Sequence, residues 1–340
     1  MRSVLYVVLA LVIVACGDHP NPSSPDSAKT DSTRVTLDEL NNAIINEPQN
    51  ALHFRDRGRY HFAKGNNDLA IADFNRAVAL DSLNPALRFE RGELFYNLLR
   101  FDQALSDYSR CAEIDNNSTD CLLKLGEMNI HLRNYPIAVE HINNALRVNE
   151  QLPFAYYMKG RIYKETGDTV LAASSYQTAI EVDPDYYDAY VEIGLLYSAA
   201  KSDLAIEYFS TALEVRPNSV EAMYNLAYHY MITAKGKRDR LDKAFSLYDR
   251  IAEVDPENAT APYNKGFIYL EYLQEYDSAA YWFGEATKLR PGYFQAFYNR
   301  GLALESLDRN DEALIEYNRA LSLQPDFTPA AVAKGRVLGE

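Results

Sequence analysis

Cysteine is scarce, three in 340 residues, which excludes a disulfide-framework protein and any Cys-rich metal module. Basic side chains are outnumbered, 34 Lys and Arg against 48 Asp and Glu, giving a formal charge of -14. Sequence-independent nucleic-acid binding relies on dense Lys and Arg to displace counterions from phosphate, so nucleic acid is not an expected partner. The six histidines form no His-Glu-x-x-His and no i, i+4 pair, so no metal site is expected. There is also no Gly-x-Ser-x-Gly, no Gly-rich phosphate loop and no strand pattern to carry one. The abundant carboxylates read as solvated helix faces. A non-enzymatic chain without a cofactor is the expectation. Tryptophan occurs once and tyrosine 26 times, an imbalance that composition alone does not explain.

No apolar run reaches the roughly 20 residues a membrane-crossing helix needs. The longest, Val4 to Ala15, follows a single positive charge at Arg2 and ends in small residues, the pattern of a secretory signal peptide over 1–15. The tetrad Ile13-Val14-Ala15-Cys16 resembles the lipobox of bacterial lipoproteins. That resemblance implies cleavage before Cys16 and acylation there, with several acyl chains forming a lasting membrane anchor. It places the chain in a bacterial envelope, facing the periplasm or the surface. Gly17 directly after the cysteine, with no Asp in its place, favours the outer membrane. Residues 16–35, rich in Pro, Ser, Thr and Asp, cannot bury enough surface to offset ordering and read as a disordered tether.

From residue 36 the chain repeats itself. Glycine recurs every 34 residues at Gly58, Gly92, Gly126, Gly160 and Gly194; Ala227, Gly266, Gly301 and Gly335 continue the column. Alanine follows at Ala70, Ala104, Ala138, Ala172, Ala205, Ala244, Ala279 and Ala313, and an aromatic column runs Phe74, Tyr108, Tyr176, Phe209, Tyr248, Phe283 and Tyr317, with Ile142 the exception. Pro184, Pro217, Pro256, Pro291 and Pro325 close units, whereas Ser82, Asn116 and Glu150 replace proline in the first three, where looser ends are expected. Apolar residues at helical spacing flank a short polar break in each unit, so each is a helix hairpin. A mid-helix glycine costs about 1 kcal/mol relative to alanine and needs a packing reason. The expected one is a close approach of Gly to a facing Ala, with the aromatic side chain filling the wedge between hairpins.

A 34-residue hairpin with Gly, Ala, Tyr or Phe, Ala and terminal Pro in that order resembles the tetratricopeptide repeat. The resemblance implies an all-α, right-handed superhelical α-solenoid: a half-unit at 36–50 with Thr36 as N-cap, eight units over 51–327 and a terminal helix at 328–340. The two domains that length alone suggests give way to one array over 36–340. Extra residues in the sixth unit are expected in a basic edge loop, Lys235 to Arg240.

The resemblance further implies that first helices line a concave groove for a protein or peptide partner. Its solvent-facing candidates are Tyr157, Arg161, Tyr224, Asn225, Tyr228, Tyr263, Asn264, Phe267, Tyr298 and Asn299. Tyrosine offers a large apolar face with a hydroxyl, and asparagine pairs with a peptide backbone as both donor and acceptor. Tyr-Asn at this place is equally the common consensus of the repeat, which stands as the alternative. Arg55 and Arg59 occupy two positions of a carboxylate clamp found in chaperone-binding members, but Glu90 stands where its next Asn belongs. Cys111 and Cys121 fall at sites that face one another across a junction, so a disulfide is expected there, with two separately buried thiols as the alternative.

The functional expectation is a membrane-tethered protein-interaction scaffold or adaptor. An assembly factor for a secretion, pilus or outer-membrane machine is the alternative within that class. An envelope glycan or peptidoglycan enzyme and a purely structural spacer are the alternatives outside it.

Overall fold

Thr36 opens the first described helix, α1 (Leu37–Asn46), with a capping box: its backbone N–H donates to Glu39 Oε2 at 2.8 Å, and the Glu39 N–H donates back to Thr36 Oγ1 at 3.3 Å. The computed structural model describes residues 36–340. The signal peptide expected at 1–15, the acylation expected at Cys16 and the tether expected over 16–35 lie outside the described residues. Within them the chain forms 18 α-helices, short turns and one π-helical turn.

The described residues divide into two compact units, 36–189 and 190–340. In the first, four antiparallel pairs follow α1: α2 (Ala51–Ala63) with α3 (Asn67–Leu80), α4 (Pro85–Asn97) with α5 (Phe101–Ile114), α6 (Thr119–His131) with α7 (Tyr135–Val148), and α8 (Pro153–Glu165) with α9 (Thr169–Val182). The division falls inside α10 (Tyr187–Ala199). In the second unit α11 (Leu204–Val215) is followed by α12 (Val220–Ile232) with α13 (Arg238–Val254), α14 (Thr260–Ile268) with α15 (Tyr276–Leu289), α16 (Phe294–Glu305) with α17 (Asn310–Leu323), and α18 (Thr328–Leu338). The all-α solenoid architecture expected from the repeat is the one these hairpins build.

The glycine column has a different partner from the one expected. A Cβ on Gly301 would lie 2.5 Å from Tyr317 Cε1, on Gly160 2.5 Å from Tyr176 Cε1, and on Gly92 2.7 Å from Tyr108 Cε1. The ring sixteen residues on, rather than the alanine, presses onto the bare backbone from within the same hairpin. Tyr108, Tyr176 and Tyr317 are fully buried, and the ring is the bulkiest object the helix pair must enclose. Ring and glycine are therefore one packing unit, and the alanine column relieves crowding beside it.

Other expectations yield to local geometry. Helices α3, α5 and α7 lack a closing proline, yet their cap N–H groups reach Ala77, Cys111 and Ala145 carbonyls at 3.1, 2.9 and 2.9 Å. The proline-followed α9 closes on Ala179 at 2.9 Å. Those ends are not looser, because a backbone bond makes the stop and Asn84 and Ser118 then cap the next helix. The extra residues of the sixth unit are only partly loop: α13 starts at Arg238 and runs 17 residues against 14 in α3, α5, α7 and α9. The surplus residue of the seventh unit is taken up as the π-helical turn Tyr269–Leu273, ended by left-handed Gln274 at φ 56°.

Cys111 on α5 and Cys121 on α6 are joined in a disulfide with Cα atoms 6.1 Å apart, both cysteines being buried. The bond closes a short loop across a junction that has no proline. In the chain-entropy account, a loop of this size stabilises by on the order of 2–3 kcal/mol. The double substitution Cys111→Ala with Cys121→Ala is thus expected to lower the guanidinium midpoint of the 36–189 unit, and intact mass without reductant should show two hydrogens fewer than the reduced chain. A mass with two free thiols would remove the bond.

Candidate functional site

Helices α12, α14 and α16 occupy equivalent places in their hairpins, and each carries Tyr-Asn three and two residues before its small column residue: Tyr224-Asn225, Tyr263-Asn264 and Tyr298-Asn299. The structure separates them. Tyr224, Asn225 and Tyr228 on α12 are half-buried. The two rings stack with centroids 6.4 Å apart and planes 10° from parallel, and Tyr224 leans edge-on against Tyr248 at 6.5 Å. Burial pushes the Tyr224 hydroxyl above its ordinary pKa, with a hydrogen bond to Asn264 opposing.

Tyr263, Asn264, Phe267, Tyr298 and Asn299 are buried, which corrects their expected exposure. Tyr293 stacks on Tyr263 with centroids 4.8 Å apart, and Phe283 meets it edge-on at 5.4 Å. Phe327 covers Tyr298 at 5.3 Å. Asn299 is 0% exposed and donates from Nδ2 to Tyr263 Oη at 2.9 Å, while Asn264 donates to the Thr260 carbonyl at 2.9 Å. Phe267 meets Tyr272 edge-on at 6.4 Å. Tyr263, Tyr298 and Asn299 thus join neighbouring hairpins, because an aromatic in the turn before the next first helix closes over each Tyr and Asn299 reaches back to Tyr263. Burial pushes the Tyr298 hydroxyl pKa up to about 12.

Beside α12 the π-helical turn brings up Tyr272, 39% exposed, a residue sequence reasoning missed. Its hydroxyl and those of Tyr224 and Tyr228 all act electrostatically on the buried Tyr248. The available signal was arithmetic: thirteen residues separate Gly266 from Ala279, where twelve separate Gly301 from Ala313. The result is a surface of tyrosine faces and amide edges, suited to a chain with both apolar and backbone polar groups.

In the 36–189 unit, Tyr157 and Arg161 are half-buried on α8, with Tyr157 packed 5.5 Å from Tyr186 and 5.7 Å from Tyr176. Elsewhere on the first helices of this unit, two cations are internally paired. Arg59 forks onto Glu90 at 2.7 and 2.8 Å, so the residue that breaks the carboxylate clamp also occupies one of its cations. Lys124 lies 3.3 Å from both Glu93 and Glu127 and 5.1 Å from the Tyr96 ring centroid.

The basic segment is partly structural. Arg240 forks onto Asp203 at 2.6 and 3.0 Å and donates to Thr233 Oγ1 at 2.7 Å, and this hydrogen bonding holds the Asp203 carboxyl below its ordinary pKa. Buried His229 places Nδ1 3.0 Å from Ser198 Oγ and Nε2 3.7 Å from Asp203. This Ser, His and Asp grouping ties the lengthened sixth unit to α10 and the turn after it. No group of three or more potential metal ligands occurs among the described residues.

A second column escaped the sequence reading. The residue before the column glycine is basic at Arg57, Arg91, Lys159, Lys265 and Arg300, and it reaches sixteen residues in either direction. Arg57 forks onto Asp73 at 2.7 and 2.9 Å and donates to Asn41 at 2.9 Å; Arg91 forks onto Asp107 at 2.7 Å twice and donates to Asn75 at 2.9 Å. Lys159 reaches Asn143 at 3.3 Å and Lys265 reaches Asp249 at 2.6 Å. One cation thus bolts its helix to the preceding second helix, and the arginines of α2 and α4 also grip their own. The spacing is legible in the sequence, but the partners of these cations are not.

Comparison with known proteins accords with this architecture. Tetratricopeptide repeat family models match residues 55–119 and 190–259, and again 294–327; a TPR repeat model matches 160–200. Anaphase-promoting complex subunit 3 of Schizosaccharomyces pombe is 22% identical over 197 residues, covering 58% of this chain and 29% of that protein. The peroxisomal targeting signal receptor of Candida albicans is 26% identical over 196 residues, covering 47% of this chain and 33% of the receptor. The chain therefore spans only 29% and 33% of the length of these two relatives. Among solved structures, the C-terminal part of a TPR repeat-containing protein from Cytophaga hutchinsonii superposes with TM-score 0.52 at 21% identity, covering 66% of this chain and 91% of that one.

Proposed function

The chain belongs to the tetratricopeptide repeat family, whose repeats bind proteins and peptides, and from that premise we propose that it is an exported, lipid-anchored, non-enzymatic adaptor in a bacterial envelope. Its partner is an extended peptide or protein segment held on the first-helix face. The observation that carries this reading is the half-buried Tyr224, Asn225 and Tyr228 surface with Tyr272 beside it. Large rings with few rotatable bonds bind at low entropic cost, and such residues dominate the binding energy of interfaces. A relative named as a targeting signal receptor, similar over 196 residues, supports a role in recognising a segment of another protein.

Export and anchoring rest on the sequence of the first sixteen residues, in which Ile13-Val14-Ala15-Cys16 resembles a lipobox. The Cys111–Cys121 disulfide supports it, since such bonds persist in oxidising compartments and are rare in the cytosol.

The test is capture of partners from native membranes by the full chain, alongside Cys16→Ala and the pair Tyr224→Ala with Tyr228→Ala. The Cys16 variant is expected in the soluble fraction, and the tyrosine pair is expected to lose its partners by tenfold or more while keeping its helical circular dichroism. Partners retained by the tyrosine pair would place the binding surface elsewhere, and membrane retention of Cys16→Ala would remove the lipid anchor.

A further inference from the structure

The basic column described above has one incomplete member. Asn41, Asn75, Asn143 and Asp249 each accept from the cation sixteen residues later, but the position sixteen before Arg300 is Gly284. Arg300 keeps its contact with Glu316 through Nη1 to Oε1 at 3.3 Å, but the Nε arm that Arg57 and Arg91 give to the Asp of their own hairpin is not made here: Arg300 Nε and Glu316 Oε2 are both buried without a hydrogen-bond partner, and Nε faces Gly284. A Cβ on Gly284 would sit 3.4 Å from both Nε and Cζ of Arg300, so the missing side chain leaves its gap beside the unsatisfied donor.

That gap is part of a cavity between α15, α16 and α17, lined by Tyr281, Thr287, Lys288, Phe297, Arg300 and Arg319 together with Gly284 and Glu285. Its cations outnumber its acids. Lys288 is paired with Glu285 at 2.5 Å, while Arg300 and Arg319 share the single carboxylate of Glu316, Arg319 at 3.0 Å. Arg319 also lies 5.8 Å from the Phe297 ring centroid, and Tyr281 is 59% exposed at the rim. One surplus guanidinium charge, a buried N–H without an acceptor and aromatic walls define a site for an anion with a planar oxygen pair.

We propose that the cavity beside Gly284 is a carboxylate-binding site in which a ligand oxygen takes the place of the side chain missing at Gly284 and accepts from Arg300 Nε, with the rings of Tyr281 and Phe297 as walls. It is separate from the tyrosine face and does not depend on what that face binds. The carboxylate comes either from a small free acid or from an acidic side chain of a protein.

The test follows the Arg300 Nε–H resonance of the 15N-labelled full chain, assigned by its disappearance in Arg300→Lys. Benzoate serves as the free acid and N-acetyl-glutamate N-methylamide as the acidic side chain. A saturable shift of Arg300 is expected with at least one, and the tighter probe identifies the source. Gly284→Asn, which restores the internal acceptor, should weaken that response by tenfold or more and raise the melting temperature, whereas Gly284→Ala should keep the response within about twofold. Failure of both probes to shift Arg300, or an undiminished shift in a folded Gly284→Asn, would overturn the proposal. If Gly284→Asn does not fold, the amides of Thr287 and Phe297 in Arg300→Gln decide: loss of their probe response supports the site and persistence overturns it.

Discussion

Gly301→Val is expected to destabilise the 190–340 unit by about 3 kcal/mol, while Gly335→Val changes stability by no more than about 0.5 kcal/mol. Both glycines stand in the same column of the repeat and both lie inside helices. They differ in what covers them. A Cβ on Gly301 would meet Tyr317 Cε1, Cδ1 and Cζ at 2.5, 2.7 and 3.1 Å, whereas on Gly335 it would find only Glu340 Cβ, at 3.9 Å. The Tyr317 ring cannot swing aside, because it is fully buried and its hydroxyl donates to Glu305 Oε2 at 2.6 Å. Glu305 is itself held by the Arg336 fork at 2.6 and 2.8 Å. Overpacking a site of this kind outweighs the few tenths of helix propensity gained on leaving glycine. Chemical denaturation of the two variants checks the contrast, and equal losses would mean that the glycine recurs in this chain for a reason other than the ring.

The second large effect is Asp107→Ala, expected to cost about 3 kcal/mol in the 36–189 unit. Asp107 is 2% exposed and receives Arg91 through two bonds of 2.7 Å and Arg88 at 3.3 Å. Removing it leaves two guanidinium groups confined between helices without their anion. They are 20% and 16% exposed, so water recovers part of the loss, and the figure sits at the low end of what breaking a buried pair costs. Arg88 places a charge between the helices of its hairpin. Its presence follows from Asp107, which takes both arginines. The matched control is Glu90→Ala, where the partner Arg59 is 52% exposed; an exposed pair of this kind contributes about 0–1 kcal/mol. Urea midpoints for the two variants should differ clearly, and similar midpoints would mean that Asp107 is not the anchor of this junction.

The repeat made the hairpins legible before any coordinates, since Gly, Ala and aromatic columns recur at a fixed period and helical spacing surrounds them. It also led to Tyr224, Asn225 and Tyr228. What it could not show is that Tyr263, Tyr298 and Asn299 are closed over. Their cover comes from Tyr293 and Phe327, which lie in turns at the start of the following first helix, and sequence spacing does not say which way a turn residue folds back. The one-residue surplus behind the π-helical turn and the sixteen-residue basic column were both countable. The column is hidden because a charged residue on an amphipathic helix reads as solvated until its partner is seen, and the surplus because one extra residue does not say how the helix absorbs it. Gly284 shows the cost of that reading, since its meaning depends on the acceptors found at the same place in other hairpins.

The central claim is that the open tyrosine face of α12 is where a partner sits. The most direct measurement is photocrosslinking in native membranes from benzoyl-phenylalanine placed at Asn225, compared with the same group at Ile315, an exposed second-helix position at 52%. The account predicts a discrete crosslinked partner from position 225 and none from 315. The same partner captured from 315 and absent from 225 would contradict it.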